Sequence, residues 1–217
     1  AVAGLLPDGV RVAGGHLELE GRSLDALPFA ERRRLAGDRI GMVFQDPLSS
    51  FNPVRSIGSV LRESLMRHRR VAAREARERV VQALADVRLP QPEAIAEAYP
   101  HQLSGGQRQR AMIALALLND PAVLIADEPT TALDATVQLQ VLALLAGGTA
   151  GRATVLITHD LGVAAGLCHR ILVMQSGRCV EEGPVEQILG APRHDYTRRL
   201  LAAASSLLRP DATPEAT

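Results

Sequence analysis

Apolar residues recur along this chain in two rhythms. Ile40 to Phe44 and Val123 to Ala126 are runs without a charged interruption, as in short strands buried on both faces. Thr154 to Thr158 is β-branched and predicts a third strand. Elsewhere the spacing is three and four residues, in Val60 to Arg69, Ala72 to Val87 and Ala111 to Leu118, which predicts helices. Glu93 to Ala98, Ala135 to Leu145 and Leu161 to Leu167 predict three more, with Gly147-Gly148 closing the second. Near the start, Val10 to Ala13 and His16 to Glu20 alternate around Gly14-Gly15 and predict a small antiparallel piece, and Pro28 to Leu35 a short basic helix. Arg170 to Gln175 and Gly177 to Glu182 read as a hairpin, and Pro184 to Leu189 and Asp195 to Ala204 as helices. A chain of 217 residues with these elements is long enough for one α/β domain carrying a helical insertion.

Two stretches carry chemistry. Leu103-Ser104-Gly105-Gly106-Gln107 precedes one of the periodic runs. Ser104 is a good N-cap and the glycines allow close approach, so the first free N–H groups of that helix form an anion site at the positive end of its dipole. Seventeen residues after Gln107 begins Leu124-Ile125-Ala126-Asp127-Glu128-Pro129, a strand delivering two carboxylates at its C-terminal edge, where open α/β sheets place their ligands.

Composition narrows the choices. The formal charge is zero, which argues against a nucleic-acid-coating surface. Cys168 and Cys179 are the two cysteines, with neither C-x-x-C spacing nor neighbouring His, so unligated thiols in a reducing compartment are expected. Apolar runs fall short of the roughly 18 residues of a membrane span. All 24 basic residues are Arg.

The two stretches, in this order and spacing, resemble the signature and Walker B motifs of ABC-family ATPases. Gln45-Asp46-Pro47 after the first strand resembles the Q-loop, Thr131-Ala132-Leu133-Asp134 the D-loop, and His159 after Thr158 the H-loop. Leu48 to Val54 is similar to the D-P-x-x-S-L-N-P continuation of peptide importers, with Phe51 for Leu. Pro192 to Arg198 is like their P-x-H-P-Y-T-R tail, with Asp195 for Pro. Plainer readings stand beside several of these: Asp134 and Asp160 also suit helix caps, and the residues after Gln45 a simple turn.

The resemblance implies an α/β, ABC-type P-loop NTPase fold over residues 1–204, incomplete at its start, with a helical subdomain at about 54–118 and a disordered tail at 205–217. It implies ATP and Mg²⁺ as cofactors, with Asp127 holding the metal and Gln45 sensing metal and water. Glu128 would orient or deprotonate water, and His159 would stabilise the γ-phosphate. Ser104, Gly105, Gly106, Gln107 and Asp134 would close a nucleotide held by a second ATPase subunit. The implied role is to energise an importer of peptides or nickel at the cytoplasmic face of the membrane. Its partners would be permease transmembrane subunits and, indirectly, an extracytoplasmic solute-binding protein, with no nucleic acid. ABC ATPases of DNA repair or translation fit less well, given the neutral charge.

One part of the pattern is missing. The phosphate cradle G-x-x-x-x-G-K-[S/T] requires a lysine, and the 217 residues include none. At roughly 1.5–3 kcal/mol per charge-assisted hydrogen bond, losing the lysine and several amides weakens nucleotide binding by more than about 4 kcal/mol, upwards of a thousandfold. The chain alone is therefore expected neither to bind nor to hydrolyse ATP in its own site. A truncated product or misplaced start is the expected cause; the alternative is a pseudo-ATPase that completes a partner subunit's site.

Overall fold

The computed structural model describes residues 12–131, 133–148 and 151–207. The turn expected at Pro7 to Gly9 lies outside them. The chain divides into two compact units, Ala1–Ile157 and Thr158–Thr217.

The first unit is built on three parallel strands, β3 (Ile40–Val43), β4 (Val123–Asp127) and β5 (Ala153–Ile157), in the order β3-β4-β5. Central β4 has Leu124, Ile125 and Ala126 buried, and β3 is covered as well, with Ile40, Gly41 and Val43 buried. The edge strand β5 is less so: Val155 and Ile157 remain 50% and 47% exposed. Ahead of the sheet is a two-residue hairpin, β1 (Glu18–Leu19) with β2 (Arg22–Ser23). Of the strand expected at 10–13, only Val12 and Ala13 lie within the described residues, and neither is in a strand. Glu20 and Gly21 both take positive φ, 52° and 76°, which makes the tight two-residue turn whose twist suits a hairpin and pairs Glu18 with Ser23 instead. A short helix, α1 (Phe29–Leu35), follows and buries none of its side chains.

Between β3 and β4 the chain makes α2 (Pro47–Ser50), α3 (Ile57–His68), α4 (Ala73–Asp86), α5 (Pro92–Glu97), a 3₁₀ turn (Pro100–Gln102) and α6 (Gly105–Leu117). The apolar residues at four-residue spacing, Ile57, Leu61 and Leu65 on α3 and Ala76, Val80 and Leu84 on α4, are all buried. Most of them join Met112 and Ile113 of α6 and Val43 and Leu124 of the sheet in one core. Fully burying one leucine contributes about 1.5–3 kcal/mol, far more than an exposed pair such as Arg79 with Glu75. A polar latch joins the end of α3 to the loops flanking the sheet. Arg69 donates to Asp38 Oδ1 at 2.6 Å and to the Asn119 carbonyl at 2.7 Å, and Asn119 Nδ2 donates to the Gly37 carbonyl at 2.8 Å. After β4 comes α7 (Ala135–Gly148), whose last two residues are the glycines expected to close it.

The second unit begins with α8 (Leu161–Leu167), capped by Asp160, whose Oδ1 accepts from the Gly162 and Val163 amides at 2.8 and 3.1 Å. The antiparallel hairpin β6 (Arg170–Gln175) and β7 (Arg178–Pro184) turns at Ser176-Gly177, and α9 (Val185–Gly190) and α10 (Asp195–Leu207) follow. Ala164, Ile171, Val173 and Ile188 form its core. Asp195 starts α10 and pairs with Arg198, so an acid suits a position where proline would also start a helix. Residues 205–207, expected to be disordered, are the last turn of α10; the rest of that tail lies outside the described residues. Among the described residues no helix is long and apolar enough to cross a membrane. Both cysteines are free, and burial pushes the Cys168 thiol up, away from the reactive thiolate.

Candidate functional site

The parallel register sets the site. Val43 pairs with Ala126 and Asp127 with Ile157, so the residues following β3 and β4 leave the sheet at one edge. Gln45 is two residues past β3 and exposed, while Asp127 ends β4 and Glu128 follows it, both half-buried. These three residues, predicted from two separate motifs, therefore lie at the same carboxyl edge.

Glu128 has an unusual backbone. Its φ is +47°, a left-handed value that a side chain with a Cβ adopts at a cost. The turn that holds it there is over-determined. The Glu128 amide donates to the Ile157 carbonyl at 2.9 Å, and the Thr131 amide donates to the Glu128 carbonyl at 3.2 Å. Thr131 Oγ1 also donates to Glu128 Oε2 at 2.5 Å. The sequence places Thr131 in the stretch resembling the D-loop but does not tie it to Glu128, although a hydroxyl three residues past an acid is an ordinary turn signal.

On α6, the Ser104 side chain accepts from the Gln107 amide at 3.3 Å, and the Gln107 side chain accepts from the Ser104 amide at 2.9 Å. This is a reciprocal capping box, legible in the S-x-x-Q spacing. It occupies two of the donors that the sequence assigned to an anion and leaves those of Gly105 and Gly106 within the first turn. The two glycines differ. A Cβ on Gly105 would meet nothing within 4 Å, whereas one on Gly106 would lie 2.6 Å from Val137 Cγ1. Gly105 thus faces open space, and Gly106 lets α6 and α7 approach closely. Asp134 caps α7, its Oδ1 accepting from the Thr136 and Val137 amides at 3.1 and 3.0 Å. Val137 therefore links the capped start of α7 to the glycine turn of α6.

His159 belongs to the second unit, next to the Asp160 cap of α8. A residue missed from the sequence is Gln109, buried at 2% exposure, whose Nε2 donates to the Pro129 carbonyl at 2.6 Å. Among the described residues no group of three or more His, Cys, Asp or Glu side chains is placed to hold a metal ion by itself. Adjacent carboxylates at a sheet edge suit Mg²⁺, which commonly takes one or two carboxylates and completes its shell with phosphate oxygens and water.

The family model described as ABC transporter matches residues 2–131. The chain is 46% identical over 193 residues to the probable peptide ABC transporter ATP-binding protein y4tR of Sinorhizobium fredii, covering 88% of this chain and 58% of that one. It is 46% identical over 206 residues to the glutathione import ATP-binding protein GsiA of Salmonella choleraesuis, covering 92% and 33% respectively. It is 47% identical over 191 residues to the peptidoglycan transport ATP-binding protein YejF of Agrobacterium fabrum, covering 87% and 35%. The chain thus spans less than two thirds of the length of these relatives. Among solved structures, a dimeric post-hydrolysis state of the ATP-binding cassette MJ0796 bound to ADP and Pi superposes with a TM-score of 0.71 at 30% identity, over 80% of this chain and 74% of that one. A second dimeric structure of the same cassette gives 0.70. A matching family model over more than half the residues, together with a superposable cassette fold, places the chain in the ABC transporter family.

Proposed function

We propose that this chain is the nucleotide-binding part of an ABC importer for peptides, working with permease subunits at the cytoplasmic face of the membrane and with a second ATPase subunit. The observation that carries the reading is the shared carboxyl edge from which Gln45, Asp127 and Glu128 emerge. The peptide and glutathione import named for the relatives supports the cargo class, and the dimeric cassettes support pairing with a second subunit.

The residues fit Mg-ATP in part. Asp127 would hold Mg²⁺, which when bound neutralises phosphate charge. The first-turn amides of α6, with Gly105 facing open space, fit a phosphate presented by the partner subunit. The lysine-bearing loop for the β- and γ-phosphates is not among these 217 residues. Phosphoryl transfer asks the protein mainly for positioning and charge stabilisation. Glu128 orients the attacking water and accepts its proton, and the fixed turn around its backbone holds the carboxylate for that task. Gln45, exposed on the same edge, orders water there. His159, at the start of the second unit, would by family resemblance donate to a γ-phosphate. Ser104, Gly105, Gly106, Gln107 and Asp134 form the opposite wall, closing on a nucleotide held by the partner.

The test is Glu128→Gln in a transporter complex whose ATPase subunit joins this chain to the lysine-bearing loop that the 217 residues lack. ATP affinity should stay within about threefold while turnover drops by a hundredfold or more, about 2.7 kcal/mol of barrier. Wild-type turnover in that variant would remove Glu128 from the role.

A further inference from the structure

Gln109 stands out from the rest of α6. The positions that follow it inward, Ala111, Met112, Ile113 and Ala114, are apolar, while Gln109 takes a carboxamide into the core at 2% exposure. A carboxamide removed from water requires a partner, and this one has a close one: Nε2 donates to the Pro129 carbonyl at 2.6 Å. Pro129 directly follows Glu128, whose left-handed backbone is fixed by Ile157 on one side and Thr131 on the other. The bond to Pro129 is a third restraint on the same turn, coming from a different element. Gln109 also lies five residues along a continuous helix from the Ser104 cap. The helix that presents Ser104 to Gln107 is thereby fastened to the peptide beside Glu128.

From this geometry we infer that Gln109 is a positioning residue, its bond to the Pro129 carbonyl setting the place of the Glu128 carboxylate. The inference rests on the proposed role of Glu128 in hydrolysis. Gln109 touches neither nucleotide nor water in this scheme, so its loss reduces turnover and leaves nucleotide affinity alone.

The experiment compares steady-state ATPase kinetics of a transporter complex whose ATPase subunit joins this chain to the lysine-bearing loop and carries Gln109→Met, of similar length but without a donor, alone and combined with Glu128→Gln. The expected result is a kcat about tenfold lower, a KM for ATP within twofold of wild type, and less than twofold further loss in the Glu128→Gln background. A full kcat, or an equal loss in both backgrounds as a general packing defect would give, overturns the inference. Wild-type turnover in Glu128→Gln alone overturns the reading of Glu128 itself, and the positioning role with it. Should Gln109→Met not fold, Gln109→Glu serves instead: protonation restores an O–H donor, so its turnover relative to wild type should rise as pH falls from 8 to 6. A deficit that stays flat over that range overturns the inference.

Discussion

Adding one methyl group at either of two neighbouring glycines should have opposite effects. Gly105 and Gly106 open α6 with φ in the ordinary range, so alanine suits the backbone at both, and replacing glycine there lowers the entropy of the unfolded chain by roughly 0.4–1 kcal/mol. At Gly105 nothing lies within 4 Å of the new Cβ, so the gain stands. At Gly106 the Cβ would sit 2.6 Å from Val137 Cγ1, and overpacking of this kind costs about 1–3 kcal/mol. The two variants should therefore differ by about 1–3 kcal/mol in unfolding free energy, Gly105→Ala above wild type and Gly106→Ala below it. Urea unfolding followed by circular dichroism would read this as opposite shifts of midpoint at unchanged slope. Val137→Ala in the Gly106→Ala background should recover part of the loss, as a double-mutant cycle with a favourable coupling energy. Equal shifts for the two glycines, or no coupling to Val137, would refute the assignment of Gly106 to helix packing and Gly105 to open surface.

Three further outcomes follow from particular contacts. Ser104→Ala removes one side of the capping box and should destabilise the chain by about 1 kcal/mol in the same urea assay. His68 has its pKa lowered, first by burial and then by Arg67 and Arg69 against the opposing pull of Asp38, so the unfolded chain takes its proton first as pH falls. The stability it contributes is complete above the ordinary histidine value of about 6.5 and lost below it, and stability against pH in His68→Gln should be flatter between about 7.5 and 5.5. Isothermal titration of the 217-residue chain alone with Mg-ATP should show no micromolar binding, and a micromolar constant would contradict the weight given to the lysine-bearing loop.

The sequence was most informative where one local interaction decides the outcome. Ser104, Asp134 and Asp160 each announce a cap, and each accepts the expected backbone amides. The run from Leu124 to Ala126 could hardly be anything but a covered strand, since no other place hides so much apolar surface beside two acids. Reading failed where non-local geometry decides. The Glu20-Gly21 turn lacks the asparagine or aspartate that usually marks such a turn, so the first hairpin was placed too early. The short α2 lay hidden in what read as a proline and serine turn. Gln109 looked like one more polar residue in a Gln-Arg-Gln-Arg string, because its meaning depends on Pro129, twenty residues away.

The sheet's outer strand also has a consequence for handling the molecule. Along β5 a row of main-chain donors and acceptors pairs with β4 on one side, and among the described residues no strand answers it on the other, while Val155 and Ile157 stand half in water. A ribbon of that kind is a template for other ribbons. Concentrated stocks of the isolated chain will tend to stick edge to edge, and a charged side chain at Val155 is the simplest guard against the resulting precipitate.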